Sequence, residues 1–404
     1  MTMPAEPSSR SSSSINLVMS QKIRNFEFAR QNHLGYPYNL DFKIGSAQRF
    51  GAFLINNLGD PFTGSHYATE CCDLERGVVD WLMSLWECES HNEFWGSVGA
   101  SGTEGNIWAL YLAREAYPTG VVLHSEEAHY SIPKAARILR MEALSVPSKS
   151  DGSLSLEALA AVADQHKGRP LIVTLNCGST VKGAHDDIIG ALSVLDASGH
   201  GQDRRFVHVD GALSAMVLPF IANVPVAIKP SFKAEIDSIS TSGHKMIGTP
   251  MPCGVMITRR SYVDRVSSAI SYLRTNDTTL MGSRNGHAVL ALWERLHRNG
   301  RSGFAEDVRN CLKRANCLAD QLRCANVPVL LNPHAITVVF PEPAPEIVNK
   351  FQLACHKQLA HAVVMPNVTE SLINRFIESY LEWWIAANGL SSQTVTTEEQ
   401  IAAI

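Results

Sequence analysis

Long apolar runs are missing from this sequence: no stretch approaches the roughly 20 consecutive apolar residues that a membrane helix needs. A bilayer-spanning chain is therefore not expected. A basic excess is missing too. Lys and Arg number 35 against 39 Asp and Glu, a formal charge of −4, so the balance points to neither nucleic acid nor an anionic membrane surface. The nine cysteines are an odd number without a C-x-x-C pair, and the spacing of Cys311, Cys317 and Cys324 predicts one shared side of a helix. That usage suits a reduced, cytoplasmic chain. The close S/N ligand pairs of structural zinc are absent as well, so no metal site is expected. The first 14 residues (MTMPAEPSSRSSSS) have no apolar core of a secretory signal, and their single Arg is thin support for a transit leader. Their Ser- and Pro-rich composition predicts a disordered tail. No internal repeat, heptad run or long linker is visible.

What is present is ordinary globular composition, 45% hydrophobic and 18% charged, with length enough for a large core. Val78, Trp81, Leu82, Leu85 and Trp86 repeat at helical spacing and predict one apolar helix face. Apolar, β-rich runs then alternate with helical stretches: Gly120–His124, Leu171–Cys177, Arg205–Asp210, Asp237–Ser242 and Cys253–Thr258. The alternation predicts an α/β fold with a mostly parallel central sheet covered by helices. Beyond Gly300 a helix over Asp307–Cys324, strands at Ala335–Phe340 and His361–Met365, and a helix near Glu370–Trp384 predict a smaller C-terminal α+β domain. The expected division is a disordered tail (1–20), an N-terminal arm (21–45), a large domain (46–300), a small domain (301–385) and a polar tail (386–404).

Four segments carry chemistry. Ser240-Thr-Ser-Gly-His-Lys245 runs a strand into a Gly- and Pro-rich turn and delivers one lysine where open α/β sheets bind ligands. Such a lysine suits a Schiff-base amine, although a surface lysine fits the segment better when it is taken alone. His208-Val-Asp210 places a carboxylate at another strand end, where it suits a pyridinium nitrogen; alone, such an Asp is more often a helix cap. Gly99-Ala-Ser-Gly-Thr-Glu-Gly-Asn106 opens a helix with small residues, which favours a lone phosphate, or is simply a Gly-rich turn; it does not match the dinucleotide pattern G-x-G-x-x-G. In Glu127-Ala-His129 an imidazole follows a strand and can lie flat on an aromatic ring, or serve as a structural hydrogen-bonder.

Taken in that order, phosphate loop, His, Asp and Lys resemble the fold-type I pyridoxal-phosphate enzymes, and specifically the group II amino-acid decarboxylases. Leu34-Gly-Tyr-Pro-Tyr-Asn39, Ile55-Asn-Asn-Leu-Gly-Asp-Pro61, Gly102-Thr-Glu-Gly-Asn106, Ser242-Gly-His-Lys245, Met281-Gly-Ser-Arg-Asn-Gly-His287 and Val363-Val-Met-Pro366 are similar to the serine and histidine decarboxylase subgroup. The resemblance runs from about Asn32 to about Ile377. It implies that Lys245 forms the Schiff base with pyridoxal 5'-phosphate, His129 stacks on the ring, and Asp210 pairs with the ring nitrogen. It further implies phosphate contacts from Ser101, Gly102, Thr103, Ser242 and His244, and cofactor contact from Ser283 in a segment that reaches the neighbouring site. Ser268–Asp277 is similar to the subgroup's catalytic loop, with Tyr272 as proton donor. Two positions depart from the pattern: Ser101, where many relatives carry Gly or Cys, and Ser214, where the plant branch usually has Phe.

The resemblance implies a homodimer with interfacial sites that decarboxylates an L-amino acid to its amine. Serine is the first expectation, with Tyr67 as partner for its hydroxyl; histidine is the alternative, given the space that Ser214 leaves, and another small neutral amino acid follows. Rivals are an aldolase or transaminase on the same fold and a non-catalytic cofactor-binding protein.

Overall fold

A computed structural model describes residues 11–42 and 45–389. Its centre is a seven-stranded sheet in the spatial order Phe94–Gly99, Gly254–Arg259, Ser238–Ser242, Arg205–Asp210, Leu171–Asn176, Val121–Ser125, Ala143–Val146. Only Gly254–Arg259 runs against the others. The carboxyl ends of the remaining strands therefore share one edge, where open α/β sheets bind ligands. Leu171–Asn176 and Arg205–Asp210 are buried at every position, as strands of a sheet covered on both faces are. Ser238–Ser242 is also fully buried although three of its five residues are serines. The cause lies in the helix Gly102–Ala116: a Cβ at Gly105 would come 3.0 Å from Ser240 Cβ, and one at Gly102 only 2.6 Å from Ser242 Oγ. Two glycines on one helix face let helix and strand approach too closely for larger residues on either side.

The C-terminal part builds an antiparallel sheet of Leu330–Leu331, Thr337–Pro341, Leu359–Val363 and Ala354–His356, packed with the helix Glu370–Asn388. A single helix, Gly286–Cys324, joins the two parts and kinks at Gly300, whose φ of 56° and ψ of −172° are open to glycine alone.

Three sequence expectations change. Ser11–Gln31 is one helix, although composition assigns residues up to 20 to a disordered tail. Ile15, Met19, Ile23 and Phe26 recur at helical spacing behind the Ser-rich start, and that periodicity prevails; residues 1–10 lie outside the described residues. At the other end the helix runs to Asn388 and stops at Gly389, so the expected polar tail loses its first residues to it, and 390–404 are not described. Cys311 is buried while Cys317 and Cys324 are exposed. Six residues turn an α-helix by roughly 240° net, whereas seven return nearly to the starting side, so Cys311 does not share the face of the other two. Among the described residues no helix is long and apolar enough to cross a membrane.

Candidate active site

The carboxyl edge of the sheet gathers the residues singled out in the sequence. Lys245 stands in the turn Gly243–Ile247, directly after Ser238–Ser242, and leaves helical dihedrals there with φ −89° and ψ −120°. Asn39 fixes this turn from outside by donating from Nδ2 to the Met246 carbonyl (3.1 Å), while Leu40 N donates to Asn367 Oδ1 (3.0 Å). The Leu34–Asn39 motif thus ties the lysine turn to the small domain. Burial pushes the Lys245 amine below its ordinary value, against the opposing pull of the Asp210 carboxylate. A lowered amine is neutral more of the time and so a better nucleophile.

Asp210 ends the strand next to Lys245's and is buried. One carboxylate oxygen accepts from Ala212 N (3.2 Å) and the other from Asn106 Nδ2 (2.7 Å). His129 lies in the loop between Val121–Ser125 and the helix Ser131–Ile138. Burial lowers its pKa, Asp210 raises it, and Lys245 lowers it again, so the three groups lie within electrostatic reach of one another. At neutral pH the ring is an uncharged imidazole, the form suited to lie on another aromatic face.

The phosphate loop is the start of the helix Gly102–Ala116. Ser101 caps it, its Oγ accepting from Glu104 N (3.3 Å), while Glu104 Oε2 reaches back to accept from Ala100 N (2.6 Å). The Ser101 hydroxyl proton stays free to donate. The first-turn amides of Gly102 and Thr103 have no acceptor within their own helix, and Ser242 Oγ sits over the same turn. His244 Nδ1 accepts from Cys253 N (3.2 Å) and the ring packs 5.8 Å from Tyr38, which leaves an Nε2–H to donate to a ligand. The donors at the helix start, the desolvated amine and the held carboxylate fit the phosphate, the aldehyde and the ring nitrogen of pyridoxal phosphate respectively.

The remaining expected residues are placed as follows. Tyr272 is 82% exposed, between the paired strands Ser268–Ile270 and Thr275–Asp277. Ser283 is exposed on Ser283–Asn285, where its hydroxyl accepts from Asn56 Nδ2 (3.2 Å). Tyr67 donates its hydroxyl to the Leu54 carbonyl (3.3 Å). Ser214 is buried, and its Oγ lies 2.4 Å from where a Gly178 Cβ would stand. It therefore faces the loop after Leu171–Asn176.

Sequence reasoning passes over Asn39, Asn106 and Ser131 as individual site residues. Asn106 leaves one signal: it is the polar residue just before the apolar run Ile107–Ala113, yet it is buried. It also leaves unread an ion pair beneath the Tyr272 hairpin. Arg284 and Glu75 meet at 2.8 Å with both side chains almost fully buried, and Glu75 further accepts from Asn57 Nδ2 (2.7 Å) and Val98 N (2.8 Å). Two distant motifs, Ile55–Pro61 and Met281–His287, thus meet as the paired strands Asn56–Leu58 and Ser283–Asn285.

Residues 51–341 match the family described as the pyridoxal-dependent decarboxylase conserved domain. Serine decarboxylase 1 of Oryza sativa subsp. japonica is 43% identical over 366 residues, 90% of this chain and 75% of that protein. The histidine decarboxylase of Solanum lycopersicum is 37% identical over 371 residues, 91% of this chain and 89% of that protein. The crystal structure of L-methionine decarboxylase from Streptomyces sp. 590 superposes with a TM-score of 0.86 at 26% identity, covering 96% of this chain and 99% of that one. With its fold, its lysine turn and this match over most of its length, the chain belongs to the pyridoxal-dependent decarboxylases, fold-type I enzymes whose cofactor is pyridoxal phosphate.

Proposed function

We propose that the chain decarboxylates L-serine to ethanolamine, in a cytoplasmic homodimer whose sites lie between subunits. The observation that carries the site assignment is the meeting of Lys245, Asp210 and His129 at one desolvated sheet edge. Pyridoxal phosphate supplies the electron sink that accepts the pair left behind when carbon dioxide departs. Lys245 Nζ would hold the cofactor covalently, and the burial that lowers its pKa favours the neutral, nucleophilic amine. Asp210 keeps a proton on the ring nitrogen. His129 covers one ring face and excludes water from it. Ser101, Thr103, Ser242 and the Gly102 amide hold the phosphate, with His244 Nε2 beside them.

Tyr272 delivers a proton to the substrate Cα after carbon dioxide leaves. Its exposure supports a role in the partner's site, and Ser283, exposed beside the same hairpin, completes phosphate binding across the interface. Phe53, Leu54 and Tyr130 are 56%, 76% and 66% exposed, apolar surface that a second copy would cover. Nine cysteines without a disulfide support the cytoplasm as compartment.

Serine is favoured because the rice serine decarboxylase stands at 43% identity and the tomato histidine decarboxylase at 37%. Tyr67 keeps a lone pair for the serine hydroxyl while its own proton goes to Leu54. Histidine is the second reading, favoured by the small side chain of Ser214 against the Gly178 loop. Measured kcat/KM for serine, histidine and alanine separates them: serine is expected to lead, with alanine slower because it offers Tyr67 no hydroxyl. Faster turnover of histidine overturns the serine assignment.

A further inference from the structure

Asn106 sits at the centre of the buried site with all four hydrogen-bonding positions of its amide in use. Nδ2 donates to Asp210 Oδ2 (2.7 Å) and to Ser131 Oγ (2.9 Å). Oδ1 accepts from His208 Nε2 (2.9 Å) and from Ser240 Oγ (3.0 Å). The orientation is forced, because a reversed amide would set its oxygen against the Asp210 carboxylate.

The bond directions follow from this one side chain. His208 must carry its proton on Nε2 to donate to Asn106, so its Nδ1 accepts from Ser238 Oγ (2.8 Å). Burial holds the His208 pKa down at about 4, so the ring is neutral and has that single proton to give. On the other side Ser131 Oγ accepts from Asn106 and turns its own proton to His129 Nδ1 (2.7 Å). The Ser131 backbone N–H points at the same Nδ1 (3.3 Å). His129 therefore carries its proton on Nε2.

We propose that Asn106 is a positioning residue that joins the two groups addressing the cofactor ring: its amide holds the Asp210 carboxyl in place and aimed, and through Ser131 it fixes the tautomer of His129. His208, Ser240 and Ser238 stand behind it as donors that polarise the amide toward Asp210. The two buried hydroxyls and the imidazole that look out of place on core strands thus have a common task. The proposal rests on the assignment of Asp210 to the ring nitrogen, and its test separates the two.

The test reconstitutes the full-length protein with pyridoxal phosphate carrying ¹⁵N in its ring, and reads the ring nitrogen's NMR shift and the cofactor dissociation constant. Asn106→Leu is expected to move the signal toward the unprotonated position and to weaken binding roughly tenfold to hundredfold, the scale of a lost hydrogen bond to a charged group. His208→Leu should move the signal the same way by less, and His208→Gln, which keeps a donor for Asn106, should restore it. An unmoved signal in Asn106→Leu with a moved one in Asp210→Asn overturns the proposal and leaves Asp210 at the ring nitrogen. Unmoved signals in both overturn the Asp210 assignment together with the proposal. If Asn106→Leu does not fold, the His208 pair decides alone: equal signals in His208→Leu and His208→Gln overturn the proposal.

Discussion

The sheet edge around Asp210 and the hairpin around Tyr272 are assigned to one reaction and are built in opposite ways. Around Asp210 both carboxylate oxygens and the whole Asn106 amide are hydrogen-bonded, in a region closed to water. Tyr272, by contrast, is 82% exposed between two strands that pair with each other. The difference separates tasks. A group that sets charge on a ring gains from fixed, dry surroundings, because reorganisation there costs energy during the reaction. A group that must arrive after carbon dioxide leaves, and then withdraw, belongs on an element that moves without disturbing the core.

The largest effect expected from this contrast is at Lys245. Lys245→Ala should abolish both amine formation and the yellow colour of the holoenzyme, read by visible absorption; a variant that stays yellow and active would remove Lys245 from the site. Next comes Arg284, which joins the hairpin's base to the core. Arg284→Ala leaves the buried Glu75 side chain without its partner, and a denaturant melt should show a loss of about 3–5 kcal/mol. A loss below about 1 kcal/mol would mean that this pair does not anchor the hairpin to the core.

Tyr272→Phe should lower kcat by roughly 10²-fold, the usual scale for a lost general acid, with cofactor binding and melting temperature unchanged. Unchanged turnover would remove Tyr272 from the mechanism. The smallest effect concerns acid. Burial holds the His361 pKa down at about 4, below its unfolded value near 6.5, so the unfolded chain binds the extra proton and stability falls as pH drops between those values. His361→Gln should lessen that fall by about 2 kcal/mol at pH 5, measured as stability against pH in the two proteins. Parallel curves would show that His361 titrates alike folded and unfolded.

The same contrast explains what the sequence discloses. Lys245, Asp210 and His129 are legible because each stands at or just past the carboxyl end of a strand, and the strand pattern puts all three on one edge. The glycines before Asn106 announce a close approach, but that the approach is to the serines of Ser238–Ser242 depends on sheet order. Asn106 is illegible as a hub, since its partners Ser131, His208, Asp210 and Ser240 come from three separate segments. Arg284 and Glu75 lie farther apart still in sequence. The N-terminal helix is hidden by composition, because serines mask the period of Ile15, Met19, Ile23 and Phe26. Nothing local marks Tyr272, and its assignment comes from resemblance alone.

The central claim is a site made of a buried half from one subunit and an exposed tyrosine from the other. Mixing Lys245→Ala and Tyr272→Phe subunits tests it directly. In a mixed dimer one site then has both the native lysine and the native tyrosine, so subunits reassorted at equal amounts should regain about a quarter of wild-type serine decarboxylation, although each variant alone is nearly inactive. Activity no higher than that of the separate variants would place Tyr272 in its own subunit's site and contradict the two-subunit account.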